Sequence, residues 1–118
     1  MTDYSTEDKD KTPFVNSEDP KLLLVKGNLS KEDAKLYVKK VANAITKVIE
    51  KHTVAVLRCV GAASVNNAVK ATIIASGGVK EQGVKLHLTP SFHNVKFDGV
   101  GEKTSVVMEV RRSDNNAE

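Results

Sequence analysis

Val60–Gly78, VGAASVNNAVKATIIASGG, decides how the chain folds. It follows a β-branched run, turns on Gly61 and then reads as a helix over about Ala62–Ser76. On a helical wheel Ala62, Val65, Val69, Thr72, Ile73 and Ser76 share one arc, with Ala68, Ala71 and Ala75 flanking it. Asn66, Asn67 and Lys70 form a narrow polar strip that Ile74 interrupts. A helix apolar nearly all round is covered on two sides, here by the protein's own sheet and by a partner. Gly77-Gly78 are expected to end it, because glycine accepts the left-handed cap conformation.

Working outward, Thr53–Val60 (TVAVLRCV) is a β-branched strand in which Arg58 alternates with Val56 and Val60. Upstream of it, Lys31 to about His52 is an amphipathic helix. Ala34, Val38, Val41, Ala42, Ile45, Val48 and Ile49 line one side, and Lys35, Lys39, Lys40, Lys47 and Glu50 form a solvated face opposite. Ser30 caps this helix, with Glu32 and Asp33 in its first turn. Before it, Lys21–Lys26 (KLLLVK) reads as a buried strand and Gly27-Asn28 as a turn. Downstream, Val84, Leu86 and Leu88 alternate with Lys85, His87 and Thr89 in a third strand. Pro90 lacks an N–H, so that strand must bulge or lie at an edge there. Phe92–Phe97 resumes it, Asp98-Gly99 makes a hairpin turn, and Thr104–Arg112 returns as the fourth strand. The order β-α-β-α-β-β gives an α/β fold of α+β two-layer type: one four-stranded mixed sheet with both helices on one face.

One domain is expected over residues 21–112, flanked by disordered tails at 1–20 and 113–118. The charge is uneven. Residues 1–20 carry a net −4, residues 21–112 a net +9, and the last six residues −2. A basic domain between acidic tails is compatible with a polyanionic partner. The single cysteine, Cys59, excludes an internal disulfide and fits a reducing compartment. No apolar run reaches membrane-spanning length and the first twenty residues lack the order of a signal peptide. The expected setting is therefore the cytoplasm, nucleoid-associated in a bacterium, or nucleus or cytoplasm in a eukaryote, with no membrane partner.

Catalytic chemistry finds no support. His52, His87, His93 and Cys59 have no metal-ligand spacing, so neither a metal nor a cofactor is expected. Ser64 sits in no nucleophile elbow. GAASVNN after Gly61 has neither the glycines nor the lysine of a phosphate loop. Asp98 belongs to a turn.

The Val60–Val79 segment resembles the motif of the stage V sporulation protein S family, a Gly-Ala-x-x-x-Asn-x-Ala-Val-Lys-Ala helix after a strand. Gly83-Val84, Pro90-x-Phe92, Val95-x-Phe97-Asp98-Gly99 and Glu102-Lys103-Thr104 follow in the same order, so the resemblance covers roughly residues 22–112. That family is similar in fold to the Alba nucleic-acid-binding superfamily. The resemblance therefore implies a homodimer that meets DNA or RNA with basic loops and a hairpin arm. Carried onto this chain, it implies Lys26 and Lys31 in the first loop, Lys96 and Lys103 on the arm, and Arg111 and Arg112 near its base. Lys35 lies near the same loop, and Lys70 lies one turn inside the second helix, close enough to assist with a phosphate. Alba proteins carry arginines around the glycine before the second helix, where this chain has Val60 and Ala62, and the paired lysines of the first loop are missing.

Two functional readings follow. In the first, the chain is a homodimeric nucleic-acid-binding regulatory or architectural protein, phosphate-led and weakly sequence-specific. In the second it is a protein-interaction or assembly module of the same fold. The over-apolar second helix and the valine-rich last strand supply the expected dimer interface: Ala71, Ile74, Val107, Met108 and Val110.

Overall fold

The structure is a computed structural model that describes residues 15–16, 19–97 and 101–114, with side chains described for residues 19–93 and 104–113. Its elements are β1 (Val15–Asn16), β2 (Asp19–Val25), α1 (Lys31–His52), β3 (Val54–Cys59), α2 (Ala62–Val79), a 3-10 turn (Lys80–Gln82), β4 (Val84–Phe97) and β5 (Gly101–Asp114). The sheet order is β1-β2-β3-β5-β4. β2 and β3 are parallel, while β5 is antiparallel to both β3 and β4. The expected four-stranded mixed sheet and two-layer arrangement are therefore present.

Two tail boundaries need correction. Val15–Asn16 lies inside the stretch expected to be disordered, yet Val15 pairs with Leu23 and adds a short fifth strand at the β2 edge. At the other end, Ser113 and Asp114 continue β5 because Lys85 and Val84 extend the ladder opposite them. The rest of the two expected tails and the Asp98-Gly99 turn lie outside the described residues.

Ser30 caps α1 as expected. Its backbone is extended and its Oγ accepts the Asp33 N–H at 3.1 Å. Val41, Ile45 and Ile49 turn inward and meet Leu23, Ala55, Leu57, Cys59, Met108 and Val110 of the sheet. Pro90 is accommodated by position: β4 is the edge strand, and its register with β5 runs without a shift from Val84↔Asp114 to Phe97↔Gly101.

α2 departs from expectation at its end, and packing settles which of its faces turns inward. Its buried face is Ser64, Asn67, Ala68, Ala71, Thr72, Ala75 and Val79, so the alanine flank and Thr72 face the core, while Val69 and Ile73 do not. Small side chains let the helix approach its neighbours closely, and the larger residues are left outside: Ile73 is 64% and Ile74 45% exposed. The helix also continues through Gly77-Gly78 to the buried Val79. The left-handed glycine is Gly83, at φ +76°, after the 3-10 turn.

The β4–β5 ladder outruns the sheet. β3 pairs only with Val106–Arg111 of β5. The pairs beyond, His93↔Ser105 to Phe97↔Gly101, therefore form a two-stranded arm past the end of β3. Ser105, fully buried at the base of this arm, donates its hydroxyl proton to the His93 carbonyl at 2.8 Å.

Candidate functional site

Because β2 and β3 are parallel, the connections after them, residues 26–30 and 60–61, open at one end of the sheet. Gly27 brings the two together. A Cβ there would sit 2.7 Å from the Ser64 amide nitrogen and 2.8 Å from the Ala63 Cβ, so glycine alone fits against the start of α2. Lys26 next to it is held at both main-chain groups. Its N–H donates to Tyr37 Oη at 2.7 Å, and its carbonyl accepts from Asn67 Nδ2 at 2.9 Å. Burial pushes the Tyr37 hydroxyl up to about 12, against the opposing pull of the Lys26 hydrogen bond, so it stays neutral at physiological pH. The exposed Lys26 side chain thus leaves a backbone fixed by both helices.

Next to this junction, α1 and α2 enclose a groove of about 660 Å³. Lys31, Lys35 and Lys39 line one wall at helical i, i+4, i+8 spacing, and Asn66, Lys70 and Ile74 line the other at the same spacing. Val38 and Ile73 contribute apolar surface between the walls. Among the described residues none of these four lysines makes an ion pair. Like charges at i, i+4 cost a helix roughly 0.2–0.5 kcal/mol per pair, so the ridge is a local cost that a bound anion would relieve.

The two helix starts differ. α1 is closed by Ser30 and has Glu32 and Asp33 in its first turn. α2 begins at Gly61, at φ +92°, with no side-chain cap and no acid in its first turn. Ser64 does not cap it but donates back to the carbonyls of Val60 and Gly61, at 2.8 and 2.9 Å. Of the two positive dipole ends, α2's is the one without a side-chain cap or an acid, and Gly27 packs against its Ser64 N–H. A second cleft of about 510 Å³ lies between one side of the first turns of α2 and Phe92 at the base of the arm.

The expected site residues are thus only partly brought together. Lys31, Lys35 and Lys70 share the groove, and Lys26 joins them through Asn67. Lys96 and Lys103 lie on the arm, opposite Glu102 and Val95, with their side chains outside the described residues. Arg111 and Arg112 are not at the site. Arg111 pairs with Val54 at the opposite end of β3, some 16 Å along the strand from Cys59, and its guanidinium binds Glu109 at 3.1 Å. Arg112 beside it donates its amide to Thr53.

The expected dimer residues divide in the same way. Ala71, Met108 and Val110 are buried in the protomer's own core and offer nothing to a partner, a correction that follows from alanine-faced packing of α2. Ile74 is exposed in the helical layer, while Val107 is half-buried on the other face of the sheet. Lys39, Asn66 and Phe92 were not expected at the site. The Lys31-Lys35-Lys39 spacing was the available signal for the first.

Against known families, the sequence model of Stage V sporulation protein S (SpoVS) matches residues 31–113. The chain belongs to the stage V sporulation protein S family. This makes it a sporulation-related protein. The matched range starts at the first residue of α1 and ends in β5, so it includes both groove walls, the Phe92 cleft and the arm. Lys26 and Gly27 precede it. No helix among the described residues is long and apolar enough to cross a membrane.

Proposed function

We propose that this stage V sporulation protein S family member binds nucleic acid as a regulatory or architectural protein, seating phosphates on the lysine groove. The carrying observation is that Lys31, Lys35, Lys39 and Lys70 line a single groove in which Glu32 is the one acid, and none of the four makes an ion pair among the described residues. The uncapped α2 start adds a positive dipole end nearby. The arm, with Lys96 and Lys103, would extend the contact along the ligand. Lysines are point-charge phosphate binders and do not read base edges bidentately, so sequence preference should be weak. Fluorescence anisotropy across a salt series tests this. Four neutralised phosphates give a log–log slope of about −3 on a single strand and about −3.6 on duplex DNA. Lys31→Glu and Lys70→Glu should each reduce the slope by about one. Absence of binding at low salt, or reversals without effect, refutes the reading.

The exposed Ile73 and Ile74 favour a second reading, a protein partner or second protomer on the helical layer. In that case Ile74→Asp, and not the lysine reversals, abolishes the assembly measured by sedimentation.

A further inference from the structure

Phe92 is the largest apolar side chain that the described part of the fold leaves in water. It is 81% exposed, whereas its neighbour across the ladder, Val106, packs against the core. The reason is positional. Phe92 lies on the helix-bearing side of β4, in the same row as Cys59 and Val106, but at the base of the arm, where α2 is only beginning. Gly61, Ala62, Val65 and Val69 form the far wall of the cleft it overhangs. Val60 and Val69 are also exposed, which makes the surroundings apolar.

One residue joins this cleft to the lysine groove. Asn66 lines both. It shares the groove with Lys35, Lys39 and Lys70 and the cleft with Phe92. We propose that the Phe92 cleft receives an unstacked base, so that the ligand of the groove is a single-stranded nucleic acid. This rests on the phosphate-binding reading above and goes on to name the form of nucleic acid.

Three features fit that occupant. An aromatic face takes any base by stacking, and a base is free to stack on protein only where it is not already stacked within a duplex. The Asn66 amide carries both donors and an acceptor, the pattern that meets a base edge. Gly61 and Ala62 of the uncapped α2 start line the same cleft, where the positive end of the helix favours a partly negative group such as a base carbonyl. At about 510 Å³ the cleft lies within the ~300–1,000 Å³ range of small-ligand pockets.

The test uses the full chain with labelled single-stranded DNA, single-stranded RNA and hairpin duplexes of matched length, each across a salt series. The single strands should bind more tightly than the duplex, and the two strand chemistries together reveal which sugar is preferred. Phe92→Ala should weaken single-strand binding about 5- to 150-fold while leaving the salt slope unchanged, since it removes stacking and not charge. Phe92→Tyr should retain the affinity. Because the ring is exposed, the Ala variant should melt with the wild type. Three outcomes overturn the inference: Phe92→Ala binds single strands as well as wild type, the duplex is preferred, or Phe92→Ala turns a dimer into a monomer in sedimentation. Lysine reversals that weaken binding while Phe92→Ala does not would remove the base cleft and leave the phosphate groove standing. Lysine reversals without effect would remove the groove itself.

Discussion

Gly27→Ala is the substitution through which this fold should lose both stability and binding. The added methyl would lie 2.7 Å from the Ser64 amide nitrogen, 2.8 Å from the Ala63 Cβ and 3.1 Å from the Ala63 carbonyl carbon. Two of these three atoms are backbone, so no rotamer change relieves the contact. Either the 26–30 loop or the first turn of α2 must move. Overpacking of this kind costs roughly 1–3 kcal/mol. With an unfolding entropy of about 2.1 cal/mol/K per residue, each kcal/mol shifts the melting temperature of a domain this size by about 4–5 °C. The expected depression is therefore roughly 4–15 °C. The same displacement lengthens the Asn67 Nδ2 to Lys26 carbonyl bond, now 2.9 Å, and separates Lys26 from the groove. Affinity for nucleic acid should fall along with the melting point. Circular dichroism melts of wild type, Gly27→Ala and Gly27→Ser are the assay. A Gly27→Ala protein that melts within one degree of wild type would refute the close-packed junction.

Gly78→Ala should act the other way, stabilising by about 0.4–1 kcal/mol, because the site is helical, exposed and has nothing within 4 Å of the new Cβ. A urea midpoint at or below that of wild type would count against the uninterrupted helix. Tyr37→Phe should cost about 1–3 kcal/mol by leaving the Lys26 N–H without its 2.7 Å acceptor, measurable as a lower midpoint at unchanged slope. Alkaline pH should weaken the fold. Burial raises Cys59 from 9.0 to about 11 and Tyr37 from 10.0 to about 12, so the unfolded chain releases those protons first. The stabilisation is complete below pH 9 and is lost progressively as pH rises toward 12, and urea midpoints at pH 8 and 10.5 check that sign.

The fold was readable because each element declares itself locally. Ser30 with its acidic first turn starts α1, alternation marks β4, and Pro90 forces that strand to an edge. Where the reading failed, tertiary contact decided. α2 carries apolar residues on all sides, so periodicity could not say which arc faces inward, and alanines won because close approach needs small side chains. Gly77-Gly78 looked like a helix end, but the buried Val79 holds one more turn in place. Of the site, Lys31, Lys35 and Lys70 were legible from their distance to helix starts. Lys39 looked like part of a solvated face, because nothing local says that α2 would rise beside it. Arg111 was misplaced along the sheet because the distance from the hairpin turn to the end of β3 depends on register, and register is a tertiary property.

The central claim is about location, and amide chemical-shift mapping on labelled protein tests it most directly. On titration with a single-stranded oligonucleotide at low salt, the largest shifts should fall on Lys31–Lys39, Asn66–Lys70 and Phe92. Residues such as His87 and Arg111, on the far end of the sheet, should stay still. Shifts confined to the His87–Arg111 region, or none at all with folded protein and excess oligonucleotide, would contradict the account.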